Sequence, residues 1–140
     1  MDIQVVPSVL NILFLIYFSF SDIKYHNINK TMVHVYILIG AVYSLYSFNA
    51  LVIVVSVIPG LFFLLLSYIS EEKIGYGDGM IIIGIAFWTP FIQIIFIIET
   101  AFVLLFLVTG VIFVLCRNNK LKEIPFIPFL LIGTVVNIYT

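Results

Sequence analysis

Charge is scarce in this sequence. Asp, Glu, Lys and Arg make up 9% of it, against 64% hydrophobic residues, where a soluble domain carries roughly 25% charged residues. So few charges cannot keep a globular surface wet. That excludes an ordinary soluble domain and points to an integral membrane protein, with the lipid bilayer as its surroundings. Neither sign is in excess: six Lys and Arg stand against seven Asp and Glu, for a net charge of −1. Without a basic stripe to meet phosphates, nucleic acid is excluded as a partner. Cysteine is nearly absent. Cys116 is the single one; it cannot form an internal disulfide and says nothing about redox compartment. No His, Cys, Asp and Glu cluster has metal-ligand spacing, so no metal or other cofactor is expected, and no G-x-S-x-G motif offers a serine nucleophile. The amino end lacks the Lys/Arg-rich stretch and cleavage site of a secretory signal, so the first apolar run is expected to persist as a helix. Internal repeats and low-complexity linkers are missing too. The expectation is one membrane-embedded domain over residues 1–140.

What the sequence does have is long apolar runs, with a mean hydropathy of +1.28. The first, from about Val5 to Phe20, ends in a polar connection, Ser21 to Lys30. Thr31 is placed to cap a second helix reaching about Phe48. A short turn over residues 47–50 leads to a third helix, Leu51 to Ile69, with Pro59-Gly60 as an expected kink. A polar, glycine-rich island follows, Glu71-Glu72-Lys73-Ile74-Gly75-Tyr76-Gly77-Asp78-Gly79-Met80, and a fourth helix starts near Asp78. Trp88-Thr89-Pro90 reads as an interface tryptophan, an N-cap and a proline in the first helical position, ending the fourth helix and opening a fifth that runs to Cys116. A turn at Glu99-Thr100 is the alternative; the first choice avoids a proline inside a continuous helix. It leaves Glu99 within helix five, expected to face other helices, with Gln93 or a backbone group as partner. After the polar loop Arg117 to Glu123, Pro125 and Pro128 open a last helix ending near Tyr139.

The expected fold is therefore an all-α membrane protein, a bundle of six transmembrane helices. Its positive charges all fall in the first, third and fifth connections: Lys24 and Lys30; Lys73; Arg117, Lys120 and Lys122. The positive-inside rule puts those connections in the cytoplasm and both termini outside. Asp22, at the first connection, and Asp78, at the third, then lie at one level on the cytoplasmic side. A carboxylate at the edge of an apolar run is costly unless it meets a partner or a wet cavity. Two close carboxylates share a proton and titrate as a unit. The ionised member can take a proton from water while the protonated one polarises a peptide carbonyl, as in an aspartic protease; the sequence leaves the two roles interchangeable. Gly75, Gly77 and Gly79 free the backbone around Asp78 for unusual dihedrals and close approach of a substrate. The plainer alternative is that both aspartates are interfacial helix-end residues.

Three segments carry a family resemblance. Asp22, followed six residues later by Ile28, is similar to a D-x5-I-P-N segment; Gly75-Tyr76-Gly77-Asp78 is a GxGD signature, with Gly84 beyond it; and Ile124-Pro125-Phe126-Ile127-Pro128-Phe129-Leu130 is similar to an I-P-F-x-P-F-L segment. In these the chain resembles the type IV prepilin peptidases, the leader peptidases of the GxGD aspartic class. The resemblance implies a membrane aspartic endopeptidase with Asp22 and Asp78 catalytic and Gly75, Gly77 and Gly79 supporting substrate or motif. Its substrates would be prepilins or pseudopilins, cut at the cytoplasmic face between a short basic leader and an apolar segment. Its setting would be the cytoplasmic membrane, in a pilus or protein-secretion system. Asn29 and Lys30 replace the pattern's Pro-Asn, and Met80 stands where a lysine is common; these departures bear on substrate preference. The cysteine-bearing domain of bifunctional relatives is missing, which implies no N-methyltransferase activity and no zinc.

The remaining polar residues have plainer readings. His26 is read as a loop histidine and His34 as an interhelical hydrogen-bonder, each with a place beside the acid pair as the alternative. Glu71 and Glu72 either attract a basic leader or are simply solvated. Asn11 and Asn137 are read as packing polars, and the Phe and Tyr side chains as lipid-facing bulk and interface anchors. Two other functions stay open: a small proton- or ion-coupled transporter component using the same aspartates, and an inactive assembly subunit of the same fold.

Overall fold

In lipid every backbone polar group must be satisfied within its own segment, so long apolar runs have helix as their solution. The computed structural model describes residues 5–70, 75–115 and 124–139. Six helices cover them: α1 (Val5–Tyr25), α2 (Lys30–Ser47), α3 (Ala50–Ile69), α4 (Tyr76–Ala86), α5 (Phe91–Leu115) and α6 (Ile127–Tyr139). Three of these, α1 from Val6, α3 and α5, are long and apolar enough to cross a membrane; α4 and α6 are shorter apolar helices. The outer surface is apolar as well, with Leu45, Tyr46, Tyr68, Phe106 and Phe113 exposed, the surface that a bilayer covers. Glu71, Glu72, Lys73, Cys116 and the loop from Arg117 to Glu123 lie outside the described residues.

The helix ends correct several expectations. Thr31 does not cap α2. Asn29 does, with extended backbone and a side chain that accepts from the Thr31 N–H; a cap must stand outside the helix, and Thr31 is already in its first turn. Pro59 lies inside α3, which continues through it. The break at Trp88–Pro90 holds, and Glu99 falls within α5. Thr89, however, donates its hydroxyl back to the Ile85 carbonyl at 3.0 Å instead of capping α5. Glu99 is exposed on α5, not turned toward other helices.

At the centre is α4. It packs against α3, α2 and α5, while α6 packs against α5 and α1. Gly79, Ile81, Ile82, Gly84, Ile85 and Ala86 of α4 are all buried, so beyond its first turn the helix is apolar all round, as a core helix must be. Small residues set the close contacts, since lipid supplies no hydrophobic drive between helices. A Cβ on Gly60 would sit 2.5 Å from Ile83 Cγ1, and one on Gly133 would sit 2.6 Å from the Ile97 carbonyl oxygen.

Tyr36 ties α1, α2 and the α4–α5 turn together. Its hydroxyl donates to Asn11 Oδ1 at 2.6 Å, which makes Asn11 the packing polar that was expected. Its fully buried ring contacts Phe14 and Phe18 of α1 and stacks on Trp88. Trp88 is therefore no interface anchor. It is buried, stacked between Tyr36 and Tyr43, because two tyrosines on one face of α2 form a slot that an indole fills.

Candidate active site

Asp22 lies in the last turn of α1, not in a connection: the helix runs on past it to Tyr25. The His26 N–H bonds the Asp22 carbonyl at 3.0 Å, and His26 takes a positive φ of 47°, the left-handed residue that ends a helix. Ser21 Oγ donates to the Asn27 carbonyl at 2.9 Å and fixes the turn that follows.

Asp78 is also helical. α4 starts at Tyr76, and the Asp78 N–H bonds the Gly75 carbonyl at 3.1 Å. No glycine among the described residues has a positive φ. What the motif glycines supply is space. A Cβ on Gly77 would meet Ile28 Cδ1 at 2.5 Å, so Gly77 lets the start of α4 close on the connection that follows Asp22. A Cβ on Gly75 would lie 3.0 Å from Asp78 Oδ2, and one on Gly79 would lie 2.8 Å from Leu64 Cδ2. Gly75 thus leaves room for the carboxyl, while Gly79 seats α4 on α3.

The result is that Asp22 and Asp78 line one cavity of about 780 Å³, with Gly75, Tyr76, Gly77 and Met80 on the α4 side and Ile28, Lys30 and His34 on the α2 side. The two carboxyl groups are close enough to interact electrostatically. His26 also lines the cavity. His34 Nδ1 pairs with the Lys30 carbonyl of its own helix at 2.5 Å, not with a neighbouring helix. Among the described residues no three His, Cys, Asp or Glu side chains could hold a metal ion.

A third wall was not foreseen as part of the site. Ile124, Pro125 and Phe126 line the cavity, and the Ile127 N–H donates to Asp22 Oδ2 at 3.3 Å, with the Phe126 N–H next in range. Phe126 is held by stacking on Phe63 of α3 and by contact with Phe102 of α5, at centroid distances of 6.3 and 5.3 Å. The sequence carried a faint signal. Pro125 and Pro128 have no N–H, so Phe126 and Ile127 present the free donors where α6 begins.

The arrangement gives two carboxyl groups on separate helices that line one open cavity. It can perform paired acid–base chemistry on a bond placed between them. A family model described as the type IV leader peptidase family matches residues 9–116. The match includes both aspartates and ends before the segment 124–130. No curated protein and no solved structure matches the chain.

Proposed function

Because the chain belongs to the type IV leader peptidase family, we propose that it is a membrane aspartic endopeptidase that removes the short basic leader of prepilins or prepilin-like proteins. Asp22 and Asp78 are its catalytic pair. The observation that carries this reading is their convergence on one cavity from α1 and α4. Glycines at 75 and 77 keep the approach to Asp78 free of side chains, and the cavity takes the extended segment at the junction of leader and apolar helix.

One carboxyl of the pair is ionised and the other protonated, because two close like charges cannot both form cheaply. The ionised carboxyl takes a proton from water, and the water oxygen bonds to the peptide carbonyl carbon. The protonated carboxyl gives its proton to the carbonyl oxygen. In the second step the proton taken from water passes to the amide nitrogen and the C–N bond breaks. A hydroxyl of the tetrahedral carbon returns its proton to the carboxyl that had lost one. The pair ends as it began, and neither a metal nor a cofactor enters.

The chain acts as one domain of six membrane helices, with both termini outside and the cavity open to the cytoplasm. The distribution of Lys and Arg supports that orientation. It acts as a peptidase only, without methyltransferase activity.

The test is cleavage, in membranes or detergent, of a prepilin with a basic leader and a Gly-Phe junction. Wild type is compared with Asp22→Asn and Asp78→Asn. The expected result is a leader-sized mass loss with wild type alone, while both variants accumulate in the membrane. Processing that survives either substitution overturns the reading.

A further inference from the structure

The two carboxyl groups differ in what holds them. Asp22 Oδ2 accepts the Ile127 N–H at 3.3 Å, with the Phe126 N–H behind it. These donors stand at the amino end of α6, where unpaired N–H groups and the helix dipole favour negative charge. Asp78 sits in the first turn of its own helix; among the described residues burial and the neighbouring Asp22 carboxyl act on it, and no hydrogen-bond donor does. A hydrogen bond donated to a carboxylate favours the ionised form. From this difference we infer that the start of α6 holds Asp22 as the ionised base, and that Asp78 is the protonated acid of the pair.

The inference rests on the peptidase reading above and adds two things. It assigns the roles that the sequence leaves interchangeable. It also makes the Ile127 backbone amide a positioning group: one carboxylate oxygen is tethered to α6, leaving the other to take the proton from water. The tether is firm. Ile127 and Leu130 are fully buried, and Phe126 is wedged between Phe63 and Phe102. Among the described residues, the other charged or titratable groups lining the cavity with Asp22 are His26 just past α1, Lys30 and His34 on α2, and Tyr76 and Asp78 on α4. α6 itself carries no charged side chain. A change confined to the amide at 127 therefore alters one donor and no charge.

The substitution that isolates this donor is Ile127→Pro. Ile127 is the first helical residue of α6, a position where proline is well tolerated, and proline removes the N–H. Ile127→Ala shortens the same side chain but keeps the donor. The backbone ester at 127, made by incorporating the α-hydroxy analogue of isoleucine, removes the N–H and keeps the side chain, so the test stands even where proline disturbs folding. The readout is the pH titration of the carboxyl pair by infrared difference spectroscopy, with each protein's Asp22→Asn counterpart as the reference that lacks the lower-pH step. It needs no substrate.

Losing a donor disfavours the carboxylate, so the pair's lower-pH step moves upward. The expected shift is about one pH unit in Ile127→Pro and in the ester, the order set by one charge-assisted hydrogen bond. Ile127→Ala stays at the wild-type position. Equal shifts in the proline and alanine variants, or no shift in the ester, overturn the assignment. The peptidase reading is judged separately, by whether Asp22→Asn and Asp78→Asn still cleave prepilin.

Discussion

Gly84 and Gly110 should respond to the same substitution with opposite signs. A Cβ built on Gly84 overlaps the Tyr36 ring at Cε1 and lies 2.5 Å from Cδ1, whereas one built on Gly110 meets nothing within 4 Å. The Tyr36 ring cannot step aside. It is fully buried, stacked on Trp88 and bonded through its hydroxyl to Asn11. Overpacking a fixed core side chain costs about 1–3 kcal/mol. Pulling the hydroxyl off Asn11 adds about 1 kcal/mol. Replacing a helical glycine by alanine returns about 1 kcal/mol. Gly84→Ala is thus expected to destabilise by about 2 kcal/mol and Gly110→Ala to stabilise by about 1 kcal/mol. The assay is reversible unfolding in mixed micelles, followed by far-UV circular dichroism as denaturing detergent is added. A third variant identifies the obstacle: in a Tyr36→Leu background the penalty at Gly84 should shrink, because the two residues are in contact. If Gly84→Ala matches wild type, or if its penalty is unchanged by Tyr36→Leu, the packing of α4 on α2 described here is wrong.

Two further outcomes follow from the site. Cleavage of prepilin should be bell-shaped in pH: at low pH both carboxyls are protonated and the base is lost, and at high pH both are ionised and the acid is lost. A profile with a single limb would contradict a working pair. Gly77→Ala places a methyl 2.5 Å from Ile28 Cδ1, a contact the end of Ile28 can partly relieve. It should lower cleavage about tenfold, for roughly 1.4 kcal/mol of misplacement, with unchanged unfolding, and Ile28→Ala should restore the rate.

The number of helices was legible because proline, asparagine and charge punctuate the apolar runs. The Trp88–Pro90 break is an example, since a proline inside a continuous helix would forfeit a hydrogen bond. Where each helix stops was less legible. Hydropathy marks the edge of the apolar run, but backbone bonding carries α1 on through Asp22 to Tyr25 and starts α4 two residues before Asp78. The two aspartates stood out because carboxylates are rare in such a sequence and both border apolar runs. That they share a cavity depends on Gly77 meeting Ile28, a contact between segments that no local pattern announces. The burial of Trp88 depends on Tyr36 and Tyr43 in another helix. The amide that reaches Asp22 belongs to an isoleucine, whose side chain gives no hint of it.

The bond between Asp22 and Ile127 joins residues 105 positions apart. At the roughly 5–20 residues per second of synthesis, the ribosome delivers Ile127 roughly 5 to 20 s after Asp22. During that interval α1 and α4 can already be inserted, and both carboxyl groups are present. The wall formed by residues 124–126 and the amide that orients Asp22 are not. The cavity that Asp22 and Asp78 line therefore takes its final form only once the last helix has been made.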